Sequence, residues 1–331
     1  MIKHSDIPSV YNTDDYLYRY SCNLEEFHDK YTNRIYEIKI NTDGLLKASE
    51  DAFSKYGWYG FANIFSHTLQ RVKSYGGLSL TYNPDYAYPL DDVHEHTLGY
   101  KRVGLPENFF EDNDIWNEMI ERQLDKDFYM YLNQSGIERA VSFLHENNIK
   151  CKTYKGKQDK PLKNTYSDTY GFRYLTPAAL DIPITHKFKR TIVRSRLASL
   201  NTKLAEEEAP GSSKQKLWHR DGTWFKEFRI NICLSNPENQ FTLQVADTEI
   251  VFKPGHAYIW NTYDMHVHHS KKIVDADRVN LIYAVSPWFD YDTKTDMWTK
   301  NKYFMKKHPI EMLFDNEIID IDVQDCKTIT Y

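Results

Sequence analysis

The sequence contains little cysteine and almost no excess of charge of either sign. Its 331 residues include four cysteines, and none of these stands in a CxxC pair. Scattered cysteines of this kind indicate reduced thiols of a cytoplasmic protein and disfavour a disulfide framework. The net charge of −5 provides no general basic field, so nucleic acid is not an expected partner.

Long apolar runs and common nucleotide-binding motifs are also absent from the sequence. No apolar segment approaches the roughly 20 residues that a membrane-spanning helix needs. Residues 1–10 lack the apolar segment of a signal peptide. We find no glycine-rich phosphate loop and no GxSxG nucleophile motif. The sequence therefore predicts no membrane partner and neither a nucleotide site nor a serine-hydrolase site.

Aromatic residues are abundant and make up 15% of the chain, with 25 tyrosines and 7 tryptophans. Because aromatic side chains favour β-strands, this composition indicates a strand-rich fold. From residue 190 onward, short alternating runs are separated by turn residues. The predicted strands are 191–200, 215–221, 228–234, 241–245, 249–252, 257–261, 266–269 and 278–285. Strands of this length and spacing predict a closed or doubly layered β structure.

The rest of the chain is mixed, and the whole predicts an α+β fold in one domain. We expect a supporting layer in 1–189, a β core in 190–292 and an extension in 293–331. The further predicted elements are a strand at 34–40, helices after Gly60, at 113–131, at 136–147 and at 298–307, and an edge strand at 318–323.

The segment Trp218-His219-Arg220-Asp221-Gly222 carries a candidate metal site. On a strand, residues i and i+2 point to the same side, so His219 and Asp221 face inward together. Two histidines and one carboxylate form the facial triad that holds Fe(II) in non-haem oxygenases. An isolated HxD is weak support, because a surface ion pair has the same pattern. The metal interpretation therefore depends on a histidine and an arginine further along the chain.

Arg278 is the downstream arginine, on the last strand of the predicted core. Its guanidinium is the planar, two-pronged cation that a dicarboxylate cosubstrate requires. The alternative is a salt bridge to Asp275 or Asp277. Ser199 is a further candidate for a hydrogen bond to a cosubstrate carboxylate.

Arg194 and Arg196 point the same way on the strand that precedes the HxD motif. Each is a candidate for substrate binding, and a structural ion pair is an equally good interpretation.

Taken in order, these motifs resemble the Fe(II)/2-oxoglutarate dioxygenases, most closely the aspartyl/asparaginyl β-hydroxylase-like and phage-type members. The resemblance covers about the last third of the chain, and residues 1–189 lie outside it. It rests on the segments 194–200, 218–222, 228–232, 258–262, 277–282 and 286–288. Each segment is a weak signal by itself, whereas the ordered set is specific. The resemblance implies a double-stranded β-helix core of the jelly-roll or cupin-like kind.

The resemblance also implies the ligands of the metal. His219 and Asp221 match the first two ligands, and His266 matches the distal one because Asn261-Thr262 precedes it at the usual offset. His268 is the alternative, since it shares a strand face with His266 and lies ten residues before Arg278, as in the β-hydroxylases. We favour His266 and keep His268 open.

For the cosubstrate, the resemblance assigns Arg278 to the distal carboxylate of 2-oxoglutarate. Arg229 and Asn231 match an Arg and a His that contact the cosubstrate in the β-hydroxylases, and the asparagine is a departure from that pattern. Related halogenases lack the carboxylate ligand, so Asp221 favours hydroxylation over halogenation.

The implied activity uses Fe(II), 2-oxoglutarate and O₂ to hydroxylate an unactivated C–H bond, with release of succinate and CO₂. The implied substrate is a small molecule, an amino acid or a peptide side chain. Two alternatives stay open: oxidation of a nucleic-acid base, with the segment Lys187-Phe188-Lys189-Arg190 as its basic groove, and a non-catalytic β-barrel binding module. Substrate identity, stereochemistry and oligomeric state do not follow from the sequence.

Overall fold

Antiparallel β-sheet dominates the structure, a computed structural model with few helices. The described residues are 1–3, 7, 30–56, 59–60, 75–82, 102–104, 118, 142–148, 152–154, 169–208, 218–222 and 224–331. Within them the chain has an α+β fold, as the sequence predicts. No helix in this part of the chain is both long enough and apolar enough to cross a membrane.

Most of the strands lie in the second half of the chain. In chain order, the strands are β1 (Arg34–Lys39), β2 (Tyr59–Gly60), β3 (Tyr75–Ser79), β4 (Thr81–Tyr82), β5 (Arg102–Gly104), β6 (Lys152–Tyr154), β7 (Tyr174–Leu175), β8 (Ile192–Leu200), β9 (Phe228–Ser235), β10 (Phe241–Val245), β11 (Thr248–Val251), β12 (His256–Trp260), β13 (His266–Ser270), β14 (Arg278–Val285), β15 (Phe289–Asp292), β16 (Met297–Lys300) and β17 (Cys326–Thr330).

Four α-helices and three short 3₁₀ helices lie wholly within the described residues. The α-helices are α1 (Leu45–Tyr56), α2 (Pro177–Asp181), α3 (Thr202–Glu208) and α4 (Pro309–Phe314), and the 3₁₀ helices are Thr169–Gly171, Pro183–Lys187 and Pro237–Asn239.

The largest sheet has eight strands in the order β17-β1-β12-β9-β14-β8-β3-β2. Its centre is the antiparallel set β12, β9, β14 and β8, and strands from early and late in the chain extend it at both edges. A second sheet has the order β11-β10-β13. An isolated bridge between His219 and His266 adds the segment 218–222 beside β13.

Successive core segments alternate between the two sheets. β8 belongs to the large sheet, the His219 segment to the small one, and β9 to the large one; β10 and β11 are small-sheet strands, and β12, β13 and β14 then alternate. The Pro254-Gly255 turn joins β11 to β12, with Gly255 at φ +79°. A glycine suits this position because a side chain strains a positive φ.

Each face of the large sheet packs against a different layer. On β9, Ile230, Ile232 and Leu234 belong to an outer core that includes residues of α1, α2 and α4. Cys233, on the opposite face, belongs to a second core with Phe241 and Leu243 of the small sheet. Because both faces are covered, β9 is buried along almost its whole length.

Several predicted elements differ from the structure. The described helix in the 45–60 region is α1, which precedes the glycines at 57 and 60 and buries Leu45, Ser49 and Ala52. The predicted helix after Gly60 and the one at 113–131 lie almost wholly outside the described residues. Of the predicted helix at 136–147, residues 142–147 are described, and 142–146 are helical.

Two predictions for the C-terminal extension are wrong. The segment 298–307 is not a helix: Trp298 pairs with Tyr291 in the β15–β16 hairpin, and cross-strand pairing outweighs local spacing. The segment 318–323 is not the edge strand, because Ile318 and Ile319 are consecutive and both buried. The edge strand is β17, which pairs with β1.

Candidate metal centre

His219 and His266 face each other across a short antiparallel pairing. The backbone N–H of His219 donates to the carbonyl of His266 at 2.9 Å, and the reverse bond is 3.0 Å. Directly paired residues project to the same side of a sheet, and the two imidazole centroids are accordingly 4.4 Å apart. The pairing therefore places two candidate ligands together from distant parts of the chain.

Asp221 joins them from the same segment. Its backbone N–H donates to the carbonyl of Thr262 at 2.7 Å. Its carboxylate Oδ2 lies 3.7 Å from His219 Nε2 and 3.8 Å from His266 Nε2. Two ligand atoms that are each about 2.1 Å from one ion are at most about 4.2 Å apart, so a single ion spans both separations.

The His266 ring is held by a hydrogen bond to the backbone of Asp264. Its Nδ1–H donates to the carbonyl of Asp264 at 2.8 Å. The other nitrogen, Nε2, is buried and makes no hydrogen bond to any described residue. Burial, reinforced by the neighbouring His219, lowers the pKa of His266 to about 3. The imidazole is therefore neutral at pH 7, which is the form that binds a metal ion.

His268 lies two residues further along the same face. Its ring is stacked on Phe241 with the centroids 5.5 Å apart. Burial holds its pKa well below the usual range. His219, His266 and His268 each have a ring nitrogen that lies within 4.8 Å of the other two. A set of three histidines is therefore a geometric alternative for the metal ligands.

Two observations favour different histidines as the distal ligand. His268 lines a cavity between the two sheets and His266 does not, whereas the Asp221 carboxylate lies within 4 Å of His266. We give more weight to the carboxylate, because the ligands of one ion must converge on one point.

The Asp221 carboxylate is also part of a buried ion-pair network. It pairs with Arg229, which in turn pairs with Glu227, while Arg194 lies 3.2 Å from Glu227 and 4.0 Å from Asp221. Burial opposes ionisation of Asp221, but the attraction of Arg229, His219 and His266 outweighs it and holds its pKa well below the usual range. Asp221 is therefore an anion at neutral pH.

Glu227 is a residue that the sequence analysis missed. It is 1% exposed and accepts a 2.7 Å hydrogen bond from the Thr169 hydroxyl. The sequence contains a pattern that could have identified Glu227. Glu227 and Arg229 are two residues apart at the start of a predicted strand, so their side chains share its inward face.

The cavity between the two sheets has a volume of about 70 Å³ and lies next to this cluster. The large sheet contributes its inward residues from β8, β9, β12 and β14, and the small sheet contributes aromatic and histidine side chains. The residues that line it are Arg196, Ala198, His219, Asp221, Arg229, Asn231, Phe241, Phe252, Trp260, Thr262, His268, Arg278, Asn280 and Ile282.

Arg278 begins β14 and lies against an aromatic ring of the opposite sheet. Its guanidinium carbon is 3.5 Å from the centroid of Phe241, a cation–π arrangement. Asn280, two residues along, also lines the cavity, and its buried Oδ1 accepts no hydrogen bond from the described residues. Asp275, one of the two alternative partners for Arg278, pairs with Lys203 at 2.8 Å.

Of the other three predicted cosubstrate residues, two line the cavity and one does not. Asn231 lines the cavity, as predicted. Arg229 lines it as well, but its guanidinium is engaged by Asp221 and Glu227. Ser199 is not a cavity residue: it pairs with Val279, and strand alternation places it on the face of β8 opposite Arg196 and Ala198. The structure therefore does not bring Ser199 to the cavity.

No protein-family model matches the chain, and no curated protein matches it significantly. Among solved structures, the chain is weakly similar to an HTH_3 family transcriptional regulator from Vibrio cholerae. The identity is 9% over 55% of this chain and 99% of that one, with a TM-score of 0.24. A score this low carries no argument about fold or function.

Proposed function

We propose that the chain is an Fe(II)- and 2-oxoglutarate-dependent dioxygenase that hydroxylates an unactivated C–H bond. The observation that carries the proposal is the convergence of His219, Asp221 and His266 beside a cavity that also contains Arg278. Two imidazole nitrogens and one carboxylate oxygen are the donor set of the facial triad, which leaves further coordination positions open.

We further propose that the core is a double-stranded β-helix of the jelly-roll kind. Its support is the alternation of successive segments between two antiparallel sheets and the strand order β12-β9-β14-β8 at the centre of the larger one. This connectivity brings the His219 segment and β13 side by side at one edge of the small sheet, where the ligands meet.

We assign a role to several of the residues in and around the cavity. Asp221 supplies the negative charge that balances a divalent ion, and the bond from His266 to Asp264 fixes the ring that would hold it. Arg278 binds the distal carboxylate of 2-oxoglutarate, and its position against Phe241 restricts the guanidinium to one region. Phe252 and Trp260 give the cavity apolar surface that excludes water.

When bound, Fe(II) and 2-oxoglutarate supply the oxidising chemistry: one oxygen atom of O₂ enters the succinate formed with CO₂, and the other enters the substrate. Since Asp221 is present among the proposed ligands, we expect hydroxylation, even in high chloride. An amino acid or a peptide side chain is the proposed substrate class, on the resemblance alone.

No contact of the described residues favours nucleic-acid oxidation. In its candidate basic segment, Arg190 pairs with Asp290 at 2.9 Å, and the Phe188 ring packs 4.6 Å from that of Tyr283. Neither residue is presented as a platform for a base.

The test combines metal binding with product analysis. Purified protein is supplied with Fe(II), 2-oxoglutarate and air, and succinate is measured across a panel of amino acids, peptides and oligonucleotides. We expect one substrate to gain a single oxygen atom by mass spectrometry, and the Asp221→Ala variant to be the inactive control. A protein that binds no divalent metal would instead be a binding module, and a chlorinated product would overturn the reaction type.

A further inference from the structure

A cluster of four charged side chains lies behind the proposed metal ligands. We call Asp221, Glu227, Arg194 and Arg229 the Asp221 charge cluster. Their side chains are between 1% and 9% exposed, so water screens them little. Both arginines lie within ion-pair distance of both carboxylates. The cluster holds two positive and two negative charges and is neutral without a metal ion.

The backbone of β8 is irregular at Arg194, one of the two cations of the cluster. The pairing of β8 with β14 shifts between Val193 and Arg196, which is a β-bulge, and Arg194 within it has φ +30°. Such a bulge adds one residue to one of two paired strands. From this bulge Arg194 reaches Glu227, and Arg196 at its far end lines the cavity.

Glu227 gives Arg194 and Arg229 a second anion beside Asp221. Unlike Asp221, it has no close contact with His219 or His266 among the ion pairs of the described residues. Without the charge of Glu227, the two arginines would bind the Asp221 carboxylate more strongly and would repel a divalent cation beside it.

We propose that Glu227 is a positioning residue that balances the charge of Arg194 and Arg229 and so keeps the Asp221 carboxylate available to a divalent metal ion. This inference rests on the proposed function, since it assumes that Asp221 is a metal ligand. It assigns Arg229 to the support of Asp221, whereas the family resemblance assigns it to the cosubstrate.

The test measures Co²⁺ affinity by titration calorimetry in the full-length protein, with circular dichroism to verify folding. Glu227→Gln should weaken Co²⁺ binding about 10–100-fold, the usual effect of losing an outer-shell partner. Arg194→Gln should change the affinity in the opposite direction and tighten it about threefold or more, because a nearby positive charge is removed. The double variant should return to within about threefold of wild type, since its charge is balanced again.

A purely structural role predicts a different pattern, in which both single variants weaken binding and the double variant is the weakest. That pattern would overturn the inference, and so would wild-type affinity in a folded Glu227→Gln protein. If this variant does not fold, tighter binding by Arg194→Gln supports the inference and weaker binding overturns it.

Glu37→Gln is the matched control. Glu37 is also buried, at 7% exposure, and pairs with a cation, Lys253, at 2.6 Å, but it lies on β1 away from the cavity. We expect its Co²⁺ affinity to equal that of wild type. Absence of Co²⁺ binding in both wild type and this control would contradict the proposed function itself, whereas normal binding in all variants would contradict only the role of Glu227.

Discussion

The two sheets present chemically different walls to the cavity between them. The inward face of the large sheet carries all of the cationic and amide side chains of the lining, namely Arg196, Arg229, Asn231, Arg278 and Asn280, beside the apolar Ala198, Trp260 and Ile282. The small sheet and its attached segment carry histidine, carboxylate and aromatic side chains, namely His219, Asp221, Phe241, Phe252 and His268. Under the proposed function, the ligand that fits both walls has anionic groups at one end and metal-binding atoms at the other. The proposal therefore predicts that metal binding and anion binding can be removed separately.

The largest effect should come from the small-sheet side. We expect His219→Ala and Asp221→Ala each to abolish measurable Fe(II) binding and turnover, because each removes one of only three proposed protein ligands. Metal content by atomic absorption and succinate release check this. Full activity in both variants would contradict the triad.

The next largest effect should come from the distal histidine. Here the comparison is between His266 and His268, two histidines of the same strand. We expect His266→Ala to lose the metal and His268→Ala to keep it, since Asp221 lies 3.8 Å from His266 Nε2. His268→Ala should instead alter the packing around Phe241. If the metal is lost only from the His268 variant, His268 is the ligand and His266 is a neighbour of the site.

A substitution on the large-sheet wall should leave the metal in place. Arg278→Ala removes the proposed carboxylate partner, and truncating one partner of a desolvated charge pair typically costs about 2–5 kcal/mol. We therefore expect a sharply higher 2-oxoglutarate requirement with unchanged Fe(II) affinity. Arg278→Lys should recover only part of the loss, because an ammonium is a point charge. An unchanged requirement in the alanine variant would move the anchor to Arg196 or Arg229.

The smallest expected effect concerns a thiol on the large sheet. Burial raises the pKa of Cys233 to about 12, against the opposing influence of Arg278. The half-buried Cys326 has its pKa raised to about 11. At pH 9 we expect iodoacetamide to label Cys326 faster than Cys233 in the folded protein, with equal rates in guanidinium chloride. Equal labelling without denaturant would mean that water reaches this part of the large sheet.

The same thiol gives a pH dependence with a defined sign. The folded protein keeps the proton of Cys233 up to about pH 12, whereas an unfolded thiol loses it near pH 9. The unfolded state therefore binds fewer protons between these values, and the free energy of unfolding should decrease as pH rises through this window.

The strands of the core could be predicted from the sequence because their inward and outward residues alternate. The predicted bounds of β10 and β14 are those of the structure, and β8, β9, β12 and β13 differ by a residue or so at their ends. At 298–307 the local spacing predicted a helix incorrectly, since the hairpin partner of Trp298 is a tertiary feature that spacing does not contain.

The site could be predicted only in part, because some of its contacts depend on how distant strands pair. His219 and Asp221 share a strand face, so their proximity follows from alternation. For Arg194 the sequence left substrate binding and a structural ion pair open, and the structure shows ion pairs with Glu227 and Asp221, partners that only the folded sheet brings together. Ser199 was assigned to the cosubstrate without regard to alternation, which places it on the opposite face from Arg196. Which histidine lies beside Asp221 depends on cross-strand register, and this is a property of the folded sheet.

The single bridge between His219 and His266 has a consequence for the lifetime of the assembled site. The amide hydrogens of His219 and Asp221 are bonded to the carbonyls of His266 and Thr262, and opening these bonds together with the reverse bond from His266 to His219 would separate the proposed ligands. Exchange of these hydrogens with deuterated solvent thus reports each transient opening of the segment. An ion bound across the bridge adds its binding free energy to the closed state, so the exchange rate records how long the ligands remain assembled.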